Sequence, residues 1–248
     1  KSMDSLDPGD PEAQSKRDEL EAMDIVAGAL VMFAERHADA LALLARNEKN
    51  LPRKDELLRM EKNCRHVPAS PPRNFWEALQ YYWFVHLAVI TELNPWDSFN
   101  PGRLDQHLMP FYEEGYRVQG AGFREKAKEL LQAFWIKFNN HPAPPKVGIT
   151  AKESNTYTDF SLINTGGLKP DGTDAVNELT YLILDVIEEM RLLQPSSMVQ
   201  LSSKNPDAFI DRALKIVQTG FGQPSIFNTD AIVQEMLNHG KDITDARN

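Results

Sequence analysis

The second half of this chain alternates short β-prone segments with helical patterns, and this alternation restricts the possible folds more than any other feature. The β-prone segments, which glycine, proline or serine residues bound, are 147–150, 157–164, 198–202 and 226–228. Helical patterns follow the last three of them, at 174–193, 207–219 and 230–238. A strand followed by a helix and a second strand is typical of parallel α/β units. We therefore predict that residues 146–248 fold as part of an α/β barrel.

The first half predicts a helical scaffold. Apolar residues there recur at helical spacing, or surround the helix nearly completely, in five segments. The predicted helices are 12–47, 52–64, 74–89, 103–115 and 122–140. Asn74 is placed to cap the third helix, and Glu77 lies three residues later as its partner in a capping box. We predict that residues 1–145 form a mainly helical scaffold in the same domain as the barrel segment.

A polar and aromatic stretch at 94–112 interrupts two of these helical patterns. Asp97 and Ser98 lie in it between Trp96 and Phe99. Large aromatic side chains favour the interior, because burying one is worth about 1.5–3 kcal/mol. Polar groups beside them then need a partner or a substrate inside the fold. A buried structural turn and a binding site both agree with this pattern.

A second polar group precedes the strand expected near residue 160. Ser154, Asp159 and Phe160 belong to it. They could form a loop with a solvated Asp159, or present an acid and an aromatic ring at a strand end, where barrels often bind ligands. In a regular strand Asp159 and Phe160 point to opposite faces. Both can therefore line one pocket only at a bulge or at a strand terminus.

Composition and charge exclude several classes of function. The formal charge of −9 opposes binding to nucleic acid. The single cysteine, Cys64, excludes an internal disulfide framework and is typical of a reducing cytoplasm. No apolar run approaches the roughly 20 residues that span a bilayer. The six histidines lack the spacing of a zinc site. We expect a cytoplasmic protein that binds no nucleic acid, membrane or metal.

Three short segments resemble the glycyl radical enzymes of the pyruvate formate-lyase type. They are FWEALQ at 75–80, Ser98 followed by GRLDQ at 102–106, and PFY at 110–112. The likeness continues through Asp159-Phe160, the glycine pair at 166–167 and PSIFN at 224–228. The resemblance implies a ten-stranded α/β barrel, of which this chain would supply a part together with the helical scaffold.

The resemblance also implies a radical reaction. Family members carry a glycyl radical near the C-terminus, which passes its spin to a cysteine that removes a hydrogen atom from a small-molecule substrate. Neither element is present in this sequence, so we expect a fragment that binds no cofactor and is inactive alone. In the complete enzyme a radical-SAM activating enzyme would install the radical, and the enzyme would form a homodimer.

The resemblance places substrate contacts at Ser98, Ser154, Asp159 and Phe160. Together with Asp97, these residues are most similar to those of members that dehydrate trans-4-hydroxy-L-proline. Asp159 and Ser154 would hold the ammonium group, and Phe160 would lie against the ring. Asp97 would act as the catalytic acid that protonates the departing hydroxyl.

Other members of the family remain alternatives. They include isethionate sulfite-lyase, arylacetate decarboxylase and formate acetyltransferase-like enzymes. A catalytically inactive scaffold subunit is the alternative from another class of protein. It would leave Asp97, Asp159 and Phe160 scattered or solvated, whereas an enzyme would gather them around one cavity.

Overall fold

The computed structural model describes residues 6–7, 9–93, 100–140 and 161–247. The chain divides into two compact units. The first contains Lys1–Pro72 with Trp83–Val85, and the second contains Arg73–Tyr82 with His86–Asn248. No described helix is both long and apolar enough to cross a membrane.

Helices dominate the described residues. The α-helices are α1 (Ala13–Asn47), α2 (Leu51–His66), α3 (Phe75–Ala88), α4 (Leu104–His107), α5 (Met109–Gln119), α6 (Gly122–Asn139), α7 (Glu178–Met190), α8 (Asp207–Gln218), α9 (Thr229–Asn238) and α10 (Ile243–Arg247). A π-helical turn, Val89–Leu93, follows α3. The strands are β1 (Gly102–Arg103), β2 (Leu162–Gly166), β3 (Ser196–Leu201) and β4 (Ser225–Asn228).

In the first unit, α2 packs back along α1 around a small core. Ala34 and Ala38 of α1 contribute to this core with Cys64 and Phe84. The side chain of Asn50 starts α2 by accepting a hydrogen bond from the backbone N–H of Arg53 at 3.0 Å. Burial raises the pKa of the Cys64 thiol to about 11, so this cysteine is a packed apolar side chain.

The predicted start of α3 is confirmed. The Oδ1 atom of Asn74 accepts a hydrogen bond from the backbone N–H of Glu77 at 3.0 Å. The carboxylate of Glu77 is only 2% exposed, and it accepts hydrogen bonds from the backbone and the guanidinium of Arg73 at 2.8 and 2.6 Å. An ion pair with a buried carboxylate therefore closes the first turn of this helix.

The second unit contains a parallel sheet with the strand order β1-β2-β3-β4. Asn164 of β2 pairs with Arg103 on one side and with Met198 on the other. Ile163 and Val199 are fully buried, as is most of the apolar side of α7. The prediction of a mixed α/β fold with parallel strands is confirmed.

The predicted single helix over 103–115 is wrong. Arg103 belongs to β1, and the helical residues divide into α4 and α5 at Leu108. The physical reason is Pro110, which has no N–H to bond within a continuing helix but is tolerated in a first turn. Strand β1 has only two residues, too few for any alternation to be visible in the sequence.

Candidate functional site

The five predicted site residues, Asp97, Ser98, Ser154, Asp159 and Phe160, lie outside the described residues. Their convergence on one pocket therefore stays a prediction. The structure does describe the first residue after each of the two segments that contain them, Asn100 and Ser161. The residues that follow these two positions, in β1 and β2, are described next.

One hydrogen bond joins the chain just after the first segment to the chain just after the second. The side-chain Oδ1 of Asn100 accepts from the backbone N–H of Leu162 at 2.8 Å, across 62 residues of sequence. Directly beyond it, Gly102 and Arg103 pair with Ile163 and Asn164 in the parallel ladder. Gly102 enters the strand at a φ of 62°, which favours glycine. The amino ends of β1 and β2 are therefore fixed against each other.

Asp105 fixes the opposite ends of the same strands. Its Oδ2 accepts from the backbone N–H of Gly166 at 2.9 Å and from the hydroxyl of Thr180 at 2.7 Å. Its Oδ1 is buried and has no hydrogen-bond partner among the described residues. Burial raises the pKa of Asp105, while the hydrogen bonds from Gly166 and Thr180 and the charge of Arg103 oppose the rise. This carboxyl group is a structural centre that joins α4, β2 and α7.

Arg103 continues the same network. Its guanidinium donates to the backbone carbonyls of Gly166 at 3.2 Å and Arg247 at 3.1 Å. The last turn of α10 is thereby attached to the carboxyl end of β2. Burial lowers the pKa of Arg103, and the neighbouring Asp105 opposes this effect.

Glycines 166 and 167 make room for side chains of neighbouring elements. A Cβ atom on Gly166 would lie 2.4 Å from the ring of Phe209, and one on Gly167 would lie 2.7 Å from Oε1 of Gln200. Both glycines have positive φ, at 76° and 72°. The turn after β2 therefore requires glycine for its backbone and for its packing.

The sequence predicts that the polar groups of the 94–112 stretch, which contains Arg103 and Asp105, lie inside the fold with a partner or a substrate, but it does not identify the partners. Asp105 is fully buried, as predicted. The available signal was an acid in the first turn of a short helix, two residues after Arg103. Within the described part of the chain, no group of three or more His, Cys, Asp or Glu side chains could hold a metal ion. Arg103, Asp105 and the paired strands β1 and β2 therefore form a hydrogen-bonded network that adjoins the two segments in which the site residues are predicted.

The whole sequence, residues 1–248, matches a family model described as pyruvate formate lyase-like. Trans-4-hydroxy-L-proline dehydratase of Clostridioides difficile is 53% identical over 238 residues, which cover 96% of this chain and 30% of that protein. Isethionate sulfite-lyase of Desulfovibrio desulfuricans is 34% identical over 98% of this chain. The match spans 29% of that lyase, so this chain covers less than a third of either relative.

Solved structures share the fold. A crystal structure of hydroxyproline dehydratase from Clostridioides difficile with trans-4-hydroxy-L-proline bound matches with a TM-score of 0.90 and 52% identity, over 99% of this chain and 31% of that one. A glycyl radical enzyme from Archaeoglobus fulgidus matches with a TM-score of 0.88 and 30% identity, over 99% of this chain and 31% of that one. The α/β fold is therefore that of the corresponding part of these proteins.

Proposed function

Because this chain belongs to the pyruvate formate lyase-like family, we propose that it is part of a glycyl radical dehydratase that acts on trans-4-hydroxy-L-proline. The observation that carries the proposal is the 53% identity to a relative of that name, against 34% to an isethionate sulfite-lyase. Since the chain spans about 30% of the relative, the activity belongs to a longer polypeptide, which we call the complete enzyme.

Within the complete enzyme, residues 1–145 would form the helical scaffold and residues 146–248 part of the barrel. Asp159 and Ser154 would hold the substrate ammonium by charge-assisted hydrogen bonds. Phe160 would pack against the pyrrolidine ring, and Ser98 would bind a second polar group of the substrate. The hydrogen bond between Asn100 and Leu162 supports this arrangement, because it holds the ends of both site segments together.

Asp97 would act as the general acid. The 4-hydroxyl group is a poor leaving group as hydroxide, and it leaves as water once Asp97 transfers a proton to its oxygen. The aromatic and apolar surroundings of the two segments would exclude bulk water and strengthen the interaction between Asp159 and the ammonium. A glycyl radical in another part of the complete enzyme would initiate the reaction, in which a hydrogen atom is removed from the substrate.

The remaining features of the complete enzyme are also proposals. We propose that a radical-SAM activating enzyme installs the glycyl radical, that the enzyme is a homodimer and that it resides in the cytoplasm. The single cysteine among 248 residues and the formal charge of −9 are compatible with that location.

The test is a substrate panel. The complete enzyme, activated anaerobically, would be assayed with trans-4-hydroxy-L-proline, isethionate and an arylacetate at equal concentrations. We expect turnover of trans-4-hydroxy-L-proline at least a hundredfold above that of the other two compounds. Preferential cleavage of isethionate, with release of sulfite, would instead assign the chain to the sulfonate-cleaving enzymes.

A further inference from the structure

One side of α1 is apolar and exposed along most of the helix. Its residues recur at spacings that place them on a single side of a helix with 3.6 residues per turn. They are Ala22, Ile25, Val26, Ala29, Met32, Phe33, Ala40, Leu43 and Leu44. Five of the larger side chains, Ile25, Val26, Met32, Leu43 and Leu44, are 57% to 66% exposed. We call these nine residues the outer stripe of α1, and it extends over about 33 Å.

The outer stripe is separate from the contact between α1 and α2. That contact uses Ala34 and Ala38, which are buried in a core with Cys64 of α2. Ala29 of the stripe and Ala38 are nine residues apart, which places them about 180° apart around the helix. Soluble proteins rarely leave a long, continuous apolar surface exposed, and such a surface marks a contact with another segment or another protein. The two apolar sides therefore indicate a helix that packs between two partners, of which α2 is one.

We propose that the outer stripe is covered by a helix from the remaining polypeptide of the complete enzyme. This chain spans 30% of the trans-4-hydroxy-L-proline dehydratase relative, so more than two thirds of a polypeptide of that length lies outside it. The fold of this chain matches the corresponding part of the longer hydroxyproline dehydratase structure with a TM-score of 0.90. The inference goes beyond the proposed function, because it requires no particular substrate.

Arg36 favours another segment over a second copy of this chain as the partner. It is an exposed residue within the stripe and forms no ion pair with another described residue. The acid nearest in sequence on its C-terminal side, Asp39, instead pairs with Arg65 of α2 at 2.7 Å. If two copies of α1 paired about the middle of the stripe, their Arg36 side chains would lie about 9 Å apart along the helix axis and repel each other. A helix of different sequence can place an Asp or Glu opposite Arg36, so we assign the partner helix an apolar side with one carboxylate.

The experiment places the photoreactive amino acid p-benzoylphenylalanine at position 32 or at position 35 of the complete enzyme. Met32 belongs to the stripe, whereas Glu35 is exposed on the same helix outside the stripe and is the matched control. After irradiation, we expect the yield of cross-linked product from position 32 to be at least about fivefold that from position 35, because a covered side chain contacts its partner closely. The product should have the mass of a single chain on a denaturing gel. Mass spectrometry should identify the captured peptide in the same polypeptide, outside residues 1–248.

The charge of Arg36 provides a second measurement. Arg36→Glu should lower the Tm of the complete enzyme by at least about 2 °C more than Arg17→Glu, because it places two acids together in the contact. Arg17 is the matched control, since it is exposed on α1 outside the stripe. Equal Tm shifts for the two variants would overturn the assignment of a carboxylate to the partner.

Three cross-linking results would overturn the inference. Equal yields from positions 32 and 35 would show that the stripe is not covered, and a product of doubled mass would show that a second copy covers it. A captured peptide within residues 1–248 would show that this chain covers the stripe itself. If the enzyme with p-benzoylphenylalanine at position 32 does not fold, position 44, at the edge of the stripe, takes its place and the same results decide. None of these results depends on turnover, so a failure here is distinguishable from a failure of the proposed function.

Discussion

The carboxylate Oδ2 of Asp105 lies 2.7 Å from the hydroxyl oxygen of Thr180, although 75 residues separate the two in sequence. The same oxygen accepts from the backbone N–H of Gly166. Thr180 in turn shares a capping box with Asn177 at the start of α7. The capped end of α7 and the carboxyl end of β2 therefore meet at a single buried carboxyl group.

We predict that Asp105→Ala destabilises the fold by about 3 kcal/mol, because it leaves two donors without their acceptor in the interior. Asp171 is the matched control. It accepts from the backbone N–H and the hydroxyl of Thr173 but is exposed, so water can replace it. Asp171→Ala should cost less than about 1 kcal/mol. Urea unfolding midpoints of the two variants check the difference, and equal shifts would contradict a central role for Asp105.

The free energy of unfolding should depend on pH because of Asp105. Burial raises the pKa of this group in the folded state. The folded state therefore holds the proton more tightly than the unfolded state does. This difference in proton affinity contributes to the free energy of unfolding. The contribution of Asp105 is complete at pH values below its unfolded-state pKa and is lost as pH rises through its folded-state pKa.

The variant Asp105→Asn lacks this titration. We expect the unfolding midpoint of the wild type, relative to that of Asp105→Asn, to fall as pH rises from about 4 towards neutrality. Thermal unfolding of both proteins across this range is the measurement. A difference that stays constant with pH would show that the pKa of Asp105 does not change on folding.

Gly166→Ala should be more harmful than an alanine at another glycine of similar backbone conformation. Gly240 has a φ of 85°, and a Cβ atom there would have no heavy atom of the described residues within 4 Å apart from its chain neighbours. A Cβ on Gly166 would instead meet Phe209 at 2.4 Å and the carbonyl of Gln200 at 2.9 Å. Gly240→Ala should cost about 1–2 kcal/mol from backbone strain alone. Gly166→Ala should cost about 1–3 kcal/mol more from overpacking. Urea unfolding distinguishes the two, and equal costs would contradict the tight packing after β2.

In the complete enzyme, Asp159→Asn should reduce kcat/KM for trans-4-hydroxy-L-proline far more than Ser98→Ala does. Removing one partner of a buried charge-assisted pair costs about 2–5 kcal/mol, against about 1 kcal/mol for a neutral hydrogen bond. Isethionate and arylacetates are anions without an ammonium, so Asp159→Asn should not impair their use. Unchanged hydroxyproline turnover by Asp159→Asn would favour an anion-cleaving relative.

Elements with a strong sequence period could be predicted closely. The predicted helix over 12–47 is Ala13–Asn47, and the predicted strand over 198–202 is Ser196–Leu201. These segments contain enough residues for apolar spacing to identify the type of element. The cap at Asn74 was also predictable, because its partner lies only three residues away.

The hydrogen-bond partners of Asp105 and Asn100 could not be predicted in the same way. The partners of Asp105 lie 61 and 75 residues away, and the N–H that binds Asn100 lies 62 residues away. Contacts of this kind depend on how distant strands and helices pack together and leave no local period in the sequence. The predicted roles of Asp97 and Asp159 came from a family resemblance, and both residues lie outside the described part of the chain.

The most direct test of the account is a crystal structure of the complete enzyme with trans-4-hydroxy-L-proline bound. We predict that Asp159 lies about 3 Å from the substrate nitrogen, with Phe160 against the ring and Asp97 within hydrogen-bonding reach of the 4-hydroxyl group. A substrate bound elsewhere, or an Asp159 that faces away from its nitrogen, would contradict the account.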